Sequence, residues 1–181
     1  NTPYTILNDE DEEIFAHKFP YVLEFNYKEQ EFILINVHYK AYGDGILNLN
    51  NENDEEYKRL QASQLIHNYI VTNFDNKNVI ILGDFNDLII EESNLNNVFT
   101  PFVANQYMFS DYSIATGDVS NYSYPSWPSH IDHIILSNEL FNNYSYITNT
   151  INVETYFLYG LADYYKYISD HRPIAINLNI P

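Results

Sequence analysis

The sequence predicts an α/β fold: a two-layer sandwich of mixed, largely antiparallel sheets flanked by helices. Three observations carry this expectation. Apolar, β-branched runs recur at residues 21–25, 32–37, 78–82 and 131–136, and such runs read as buried strands. A stripe of apolar residues at helical spacing lies between the second run and the third. The last segment, residues 173–180, alternates apolar and polar side chains, the pattern of a strand with one face in a core.

Taken in order, residues 8–13 are acidic and read as a solvated loop. Tyr21-Val22-Leu23-Glu24-Phe25 and Phe32-Ile33-Leu34-Ile35-Asn36-Val37 read as two strands, with Lys28-Glu29-Gln30 as the hairpin turn. His38 lies at the end of the second strand. Residues 41–53 are rich in Gly and Asn and read as a loop. A helix follows, with Asn53 as its N-cap and Glu56, three residues on, as the capping-box partner. Tyr57, Leu60, Leu65, Ile66, Tyr69 and Ile70 form its apolar stripe, and it ends near Asn73. Asn78-Val79-Ile80-Ile81-Leu82 is the next strand. This helix-to-strand order lets the strands that end at His38 and Asp84 become neighbours in one sheet. Residues 88–109 show no clear pattern, and residues 112–129, aromatic, polar and proline-containing, read as a long loop. Residues 131–136 form a strand carrying Asp132. In the final strand Ile174, Ile176, Leu178 and Ile180 share one face, and Asn177 and Asn179 share the other.

Composition narrows the function classes. The 181 residues are enough for one domain with a real core. A content of 45% hydrophobic and 17% aromatic residues excludes a disordered chain. No apolar stretch reaches the length of a membrane span, and the polar opening Asn1-Thr2-Pro3 shows no signal-peptide pattern. With no cysteine there is no disulfide, no zinc-thiolate site and no cysteine nucleophile. The net charge is −17, with two arginines and six lysines among the eight basic residues. Tight, sequence-independent DNA binding rests on many Lys/Arg–phosphate contacts, and this chain has no broad basic footprint. A bound divalent cation offsets repulsion locally, so acidity does not exclude metal-assisted phosphate chemistry.

The chemistry-bearing residues cluster at strand ends. Gly83-Asp84-Phe85-Asn86-Asp87 follows an apolar strand directly. Gly83 permits a sharp turn, after which Asp84 and Asn86 offer two oxygen-bearing side chains to a hard cation or a phosphate. A plain Gly-Asp-Asn turn would explain the same residues without function. His38 sits at the same sheet end, and Lys40 could add a positive charge there; either could equally be an ordinary surface residue. Ser169-Asp170-His171-Arg172-Pro173 precedes the last strand, and Pro173 holds Arg172 extended. His171 could act as a base or proton shuttle if a carboxylate orients its other ring nitrogen, and Asp132 is the candidate. His130 and His133, flanking Asp132, read as structural or surface residues, as do His17 and His67. The aromatics Tyr122, Tyr124 and Trp127 lead into the Asp132 strand. They either meet a substrate by stacking or cap the sandwich core.

Together these segments resemble the endonuclease/exonuclease/phosphatase family, which includes the DNase-I-like nucleases. The resemblance rests on Ile35-Asn36-Val37-His38, Gly83-Asp84-Phe85-Asn86-Asp87, Ser129-His130-Ile131-Asp132-His133 and Ser169-Asp170-His171-Arg172-Pro173, in that order and at similar spacing, with Arg59 and Gln61 resembling the family's Arg-x-Gln pattern. It covers nearly the whole chain and implies a DNase-I-like sandwich. It further implies that Asp84 and Asn86 contact the scissile phosphate, the attacking water and a metal. By the same resemblance Asp170 is a metal ligand, His171 the catalytic histidine paired with Asp132, and His38 a second catalytic histidine. The implied reaction is in-line attack of water on a phosphoester, with Mg²⁺ or Mn²⁺ stabilising charge on the phosphate oxygens and Ca²⁺ a further candidate.

The departures from the family also carry expectations. Family members begin with a strand bearing a metal-site Asn, followed by a metal-ligand Glu. Asn26 and Glu31 stand at the wrong point in the order to replace them. The resemblance therefore implies that residues 1–181 are the C-terminal portion of one such domain, with the rest supplied by an N-terminal segment or a partner chain. Metal affinity of the chain alone is then expected to be weak. The expected partner is a phosphoester substrate, with nucleic acid one candidate. The alternatives are a phospholipid or small-molecule phosphoesterase, or a catalytically inactive binding or structural module on the same fold.

Overall fold

The computed structural model describes residues 2–6, 11–41, 43–90, 96–141 and 145–180. Among the described residues, eight strands run in chain order: β1 (Tyr4–Thr5), β2 (Tyr21–Tyr27), β3 (Gln30–His38), β4 (Asn78–Asp84), β5 (Met108–Phe109), β6 (Asp132–Leu136), β7 (Ser145–Thr150) and β8 (Ile174–Asn179). The helices are α1 (Glu55–Asn73), α2 (Thr100–Ala104), α3 (Tyr112–Ala115) and α4 (Leu161–Tyr167). Six strands form one sheet in the order β1-β2-β3-β4-β6-β5, and β7 pairs with β8. Within the larger sheet only β3 and β4 run parallel among the described strands; every other pairing is antiparallel. The two sheets, largely antiparallel, with helices against them, are the predicted sandwich.

The centre of the larger sheet is buried on both faces, which is why β3 and β4 read as unbroken apolar runs. On one face Ile33, Ile35, Val37, Val79 and Ile81 pack against Ala62, Ile66 and Ile70 of α1 and Phe102 of α2. On the other, Phe32, Ile80, Ile134 and Leu136 meet Ile174, Ile176 and Leu178 of β8. The alternation of β8 follows from its place, with its isoleucines and leucine half-buried and its asparagines exposed.

Several local expectations are corrected. The hairpin turn is the two residues Lys28 and Glu29, both at positive φ (49° and 64°), and Gln30 already pairs with Tyr27. Such a turn matches the twist of its strands. The cap of α1 is Asp54 rather than Asn53: its Oδ1 accepts the Tyr57 N–H at 2.8 Å. Glu56 does not reach back to the cap, because its Oε1 takes the Gly45 N–H at 2.8 Å and Arg59 Nη2 at 3.0 Å. The acidic loop lies partly outside the described residues (8–10), and the turn that follows sends Phe15 fully into the core. Residues 91–95 of the patternless stretch also lie outside, while the rest contains α2 and β5. The expected long loop at 112–129 instead holds α3, a 3-10 turn at Val119–Asn121 and a small bridge between Tyr124 and Ser129. Short polar side chains build these turns locally, as where Asp118 accepts the Ser120 N–H at 2.8 Å.

Candidate active site

The parallel pairing of β3 with β4 sets their C-terminal ends side by side, with His38 opposite Asp84. On its other edge β4 meets the start of β6, with Asp84 opposite Asp132. Three polar residues thus line up across three strands. Gly83 makes the approach possible. Its φ is 141°, and a Cβ there would stand 1.9 Å from the Val37 carbonyl oxygen. After Asp84 the chain turns sharply: Asn86, at φ 52°, donates its backbone N–H to Asp84 Oδ1 at 2.9 Å. The Asn86 side-chain nitrogen donates to the Tyr39 carbonyl at 3.1 Å, so its amide oxygen is the atom left for a ligand.

His171 enters from the turn before β8. Its Nδ1 lies 2.8 Å from Asp132 Oδ2, and a carboxylate can only accept, so Nδ1 carries the hydrogen. The turn is held by Tyr164, whose hydroxyl donates to the His171 carbonyl at 2.6 Å, and by Ser169, whose oxygen accepts the His171 N–H at 3.0 Å. Arg172 fastens the other side through its N–H to the Ser123 carbonyl (2.7 Å) and its Nε to Glu154 (2.8 Å). The expected Asp132–His171 pair is therefore in place. A cleft of about 340 Å³ beside it is lined by Gly83, Tyr164, Ser169 and Arg172 as well as the pair itself.

The electrostatics follow from this crowding. The hydrogen bond from His171 to Asp132 holds the imidazole above its ordinary proton affinity; burial opposes it, and the charges of Asp132, Asp84 and exposed Asp170 add to it. Burial, then the facing charge of Asp132, pushes Asp84 up to about 6. His38 behaves differently. Its Nε2 lies 2.7 Å from Lys18 Nζ and 3.4 Å from Asp84 Oδ2. An ammonium only donates, so Nε2 accepts and His38 is neutral, which makes the longer contact no ion pair. Burial first, and Lys18 second, lower its proton affinity accordingly.

The side-chain oxygen and nitrogen atoms of Asp84, Asp132 and His171 all lie within 4.8 Å of one another. With Asp132 taken up by His171, the Asp84 carboxylate and the Asn86 oxygen are the donors that suit a hard divalent cation. Lys40 contributes its carbonyl to Arg59 Nη1 at 3.0 Å, and Lys18 Nζ stands beside His38 at the cluster. Of the aromatics, Tyr124 packs its ring against His171, centroids 4.9 Å apart. Tyr122 is half-buried and donates its hydroxyl to the Ala115 carbonyl at 3.0 Å. Trp127 is 77% exposed and caps no core.

Sequence reasoning missed two features. Lys18 stands in an irregular segment with no motif around it. Asp111 is wholly buried, and its Oδ2 lies 2.8 Å from His130 Nε2 and 2.7 Å from His133 Nδ1. The available signal was the paired histidines, whose need for a buried acceptor implied an unassigned carboxylate. Both are buried structural residues, not surface ones.

A family model described as the endonuclease/exonuclease/phosphatase family matches residues 6–171. The chain belongs to this family. Among solved structures, this family member resembles zebrafish TDP2 complexed with a single-strand DNA product, at 13% identity and a TM-score of 0.62, over 99% of this chain and 67% of that one. It also resembles the human Nocturnin catalytic domain with bound sulfate (16% identity, TM-score 0.57, 91% of this chain and 53% of that one). A third is a mannosyl-6-phosphatase from Bacteroides thetaiotaomicron (17%, 0.53, 90% and 57%). The chain spans about half to two thirds of the length of these structures. No curated protein matches its sequence. Among the described residues no helix is long and apolar enough to cross a membrane.

Proposed function

We propose that this chain carries the hydrolytic centre of a metal-dependent phosphoesterase. The observation that supports it most is the convergence of Asp84, Asp132 and His171, drawn from three distant parts of the sequence, within 4.8 Å. Asp84, Asn86 and Asp170 would hold Mg²⁺ or Mn²⁺, which when bound supplies charge stabilisation to the phosphate oxygens. Asp132 fixes the His171 tautomer, leaving Nε2 to hold or move a proton at the attacking water or the leaving oxygen. The Asn86 amide oxygen orients that water. Neutral His38 and the Lys18 ammonium offer hydrogen bonds and positive charge to the phosphate. Tyr124 holds the His171 ring in its plane, and exposed Trp127 meets the apolar part of the substrate.

The net charge of −17 favours a compact phosphoester over a long polyanion. The TDP2 structure contains DNA and the Bacteroides enzyme is a sugar-phosphate phosphatase by name, so both substrate types belong in the test. The protein is assayed on bis(para-nitrophenyl) phosphate, para-nitrophenyl phosphate and single-stranded DNA, with Mg²⁺, Mn²⁺ or EDTA. Hydrolysis that needs the metal and is lost in Asp84→Asn and His171→Ala supports the proposal. Turnover that survives EDTA, or both substitutions, overturns it.

A further inference from the structure

Behind the site runs a buried polar chain that the proposed chemistry does not use. Its centre is His133, on β6 next to Asp132 and 1% exposed. His133 Nδ1 lies 2.7 Å from Asp111 Oδ2, and its Nε2 lies 2.9 Å from the Asp87 carbonyl oxygen. A carboxylate and a carbonyl only accept. Both ring nitrogens must therefore carry hydrogens, and His133 is an imidazolium. The rings of Phe85, Phe99 and Phe109 pack around it, with centroids 5.7, 5.7 and 5.8 Å away.

The titratable groups around His133 can be followed outward. Asp111, 0% exposed, accepts from His133, from His130 Nε2 and, through Oδ1, from the Ile134 N–H at 3.0 Å. The other ring nitrogen of His130 is buried without a partner, and the Asp111 charge faces His133 at 2.7 Å. Asp132 stands beside it on the strand. Asp87, whose carbonyl His133 holds, gives its carboxylate to Arg59 Nε at 2.7 Å, and Arg59 Nη1 reaches the Lys40 carbonyl at 3.0 Å. One connected chain thus touches the segment after β5, strand β6, the turn after β4, helix α1 and the segment after β3. Burial alone would raise Asp111 and lower His133; instead their mutual charge holds Asp111 well below the usual carboxylate range and His133 above the usual imidazole range.

We propose that His133 is a doubly protonated positioning residue that ties Asp111 to the Asp87 carbonyl, and so holds the Asp84–Asp87 turn in place against the Asp132 strand. Its role rests on the reading of that turn as a working part, but the test does not need turnover. In ¹⁵N-NMR of the intact protein near pH 8, both His133 ring nitrogens are expected at imidazolium positions. A neutral tautomer at His133 overturns the proposal without any variant. His133→Gln keeps a donor toward the Asp87 carbonyl, whereas His133→Leu keeps none. Losing that bond is worth about a tenfold change in local opening. Amide exchange at Phe85 and Leu88 is therefore expected to quicken about tenfold in His133→Leu and to recover toward wild type in His133→Gln, with the β2–β3 hairpin unchanged in both. Equal exchange in the two variants, or quickening spread evenly over the sheet, shows a merely structural residue and overturns the proposal. If the protein hydrolyses phosphoesters, His133→Leu lowers kcat with KM nearly unchanged, and Gln restores it. An inactive wild type with the NMR pattern intact refutes the hydrolase reading alone.

Discussion

Replacing Gly83 by alanine tests the close approach on which the site depends. The backbone there has φ 141°, and a Cβ would stand 1.9 Å from the Val37 oxygen and 2.9 Å from its carbon. Both atoms are backbone, so no side chain can rotate away. Strain of a non-glycine residue in that region costs about 1–3 kcal/mol, and forcing β3 away from β4 costs about 1–3 kcal/mol more. Gly83→Ala is therefore expected to lose roughly 2–6 kcal/mol. Gly45 is the control: its φ is also positive (77°), but nothing lies within 4 Å of its Cβ position. Gly45→Ala should lose only the backbone part, about 1 kcal/mol. Urea denaturation of the three proteins measures both differences. Activity should fall further than stability in Gly83→Ala, because the strands pushed apart carry His38 and Asp84. If the two alanine variants are equally stable, the close-approach argument is wrong.

Further expectations follow from the same geometry. In Asp132→Asn the His171 proton affinity should drop, seen by NMR titration. The wild-type affinity is raised, so the pair stabilises the fold below the ordinary histidine pKa and loses that contribution as pH rises through the raised value; the stability gap between wild type and variant should shrink from pH 6 toward pH 9. Asp84, raised to about 6, destabilises the fold when charged, so Asp84→Asn should stabilise by on the order of 1–3 kcal/mol near pH 8 and by little near pH 4, as urea midpoints would show. Arg59→Met strands the buried carboxylates of Asp87 and Glu56 and should cost about 3–5 kcal/mol in the same measurement. Trp127→Ala should leave stability within about 0.5 kcal/mol while reducing turnover; a folded variant with full activity removes Trp127 from substrate binding.

Legibility in the sequence tracked how local the determining physics was. Strands β3, β4, β6 and β8 were visible because burial on one face or two writes directly into the apolar pattern. The pairing of Asp132 with His171 was visible because both residues sit where strands begin. The cap of α1 was misplaced by one residue because Asn53 and Asp54 are both good caps, and only the burial of Glu56 against Arg59 decides between them. Residues 112–129 were opaque because their order comes from side-chain-to-backbone bonds and from Asp111, whose partners lie about twenty residues away. Lys18 was hidden for the same reason: its importance comes from His38, twenty positions further on, and from no pattern of its own.

The row formed by His38, Asp84 and Asp132 across β3, β4 and β6 makes the site a gauge of strand alignment. Side chains alternate faces along a strand, so a slip of one residue turns each of the three to the opposite face. A misaligned sheet would keep most of its apolar burial here, since both faces of β3 and β4 are covered, yet it would hold no site. Under the proposed chemistry, hydrolysis is then an all-or-none reporter of correct pairing. A residue inserted inside β4 should abolish it, whereas one inserted in the turn around Asn76, ahead of the strand, should pass unnoticed.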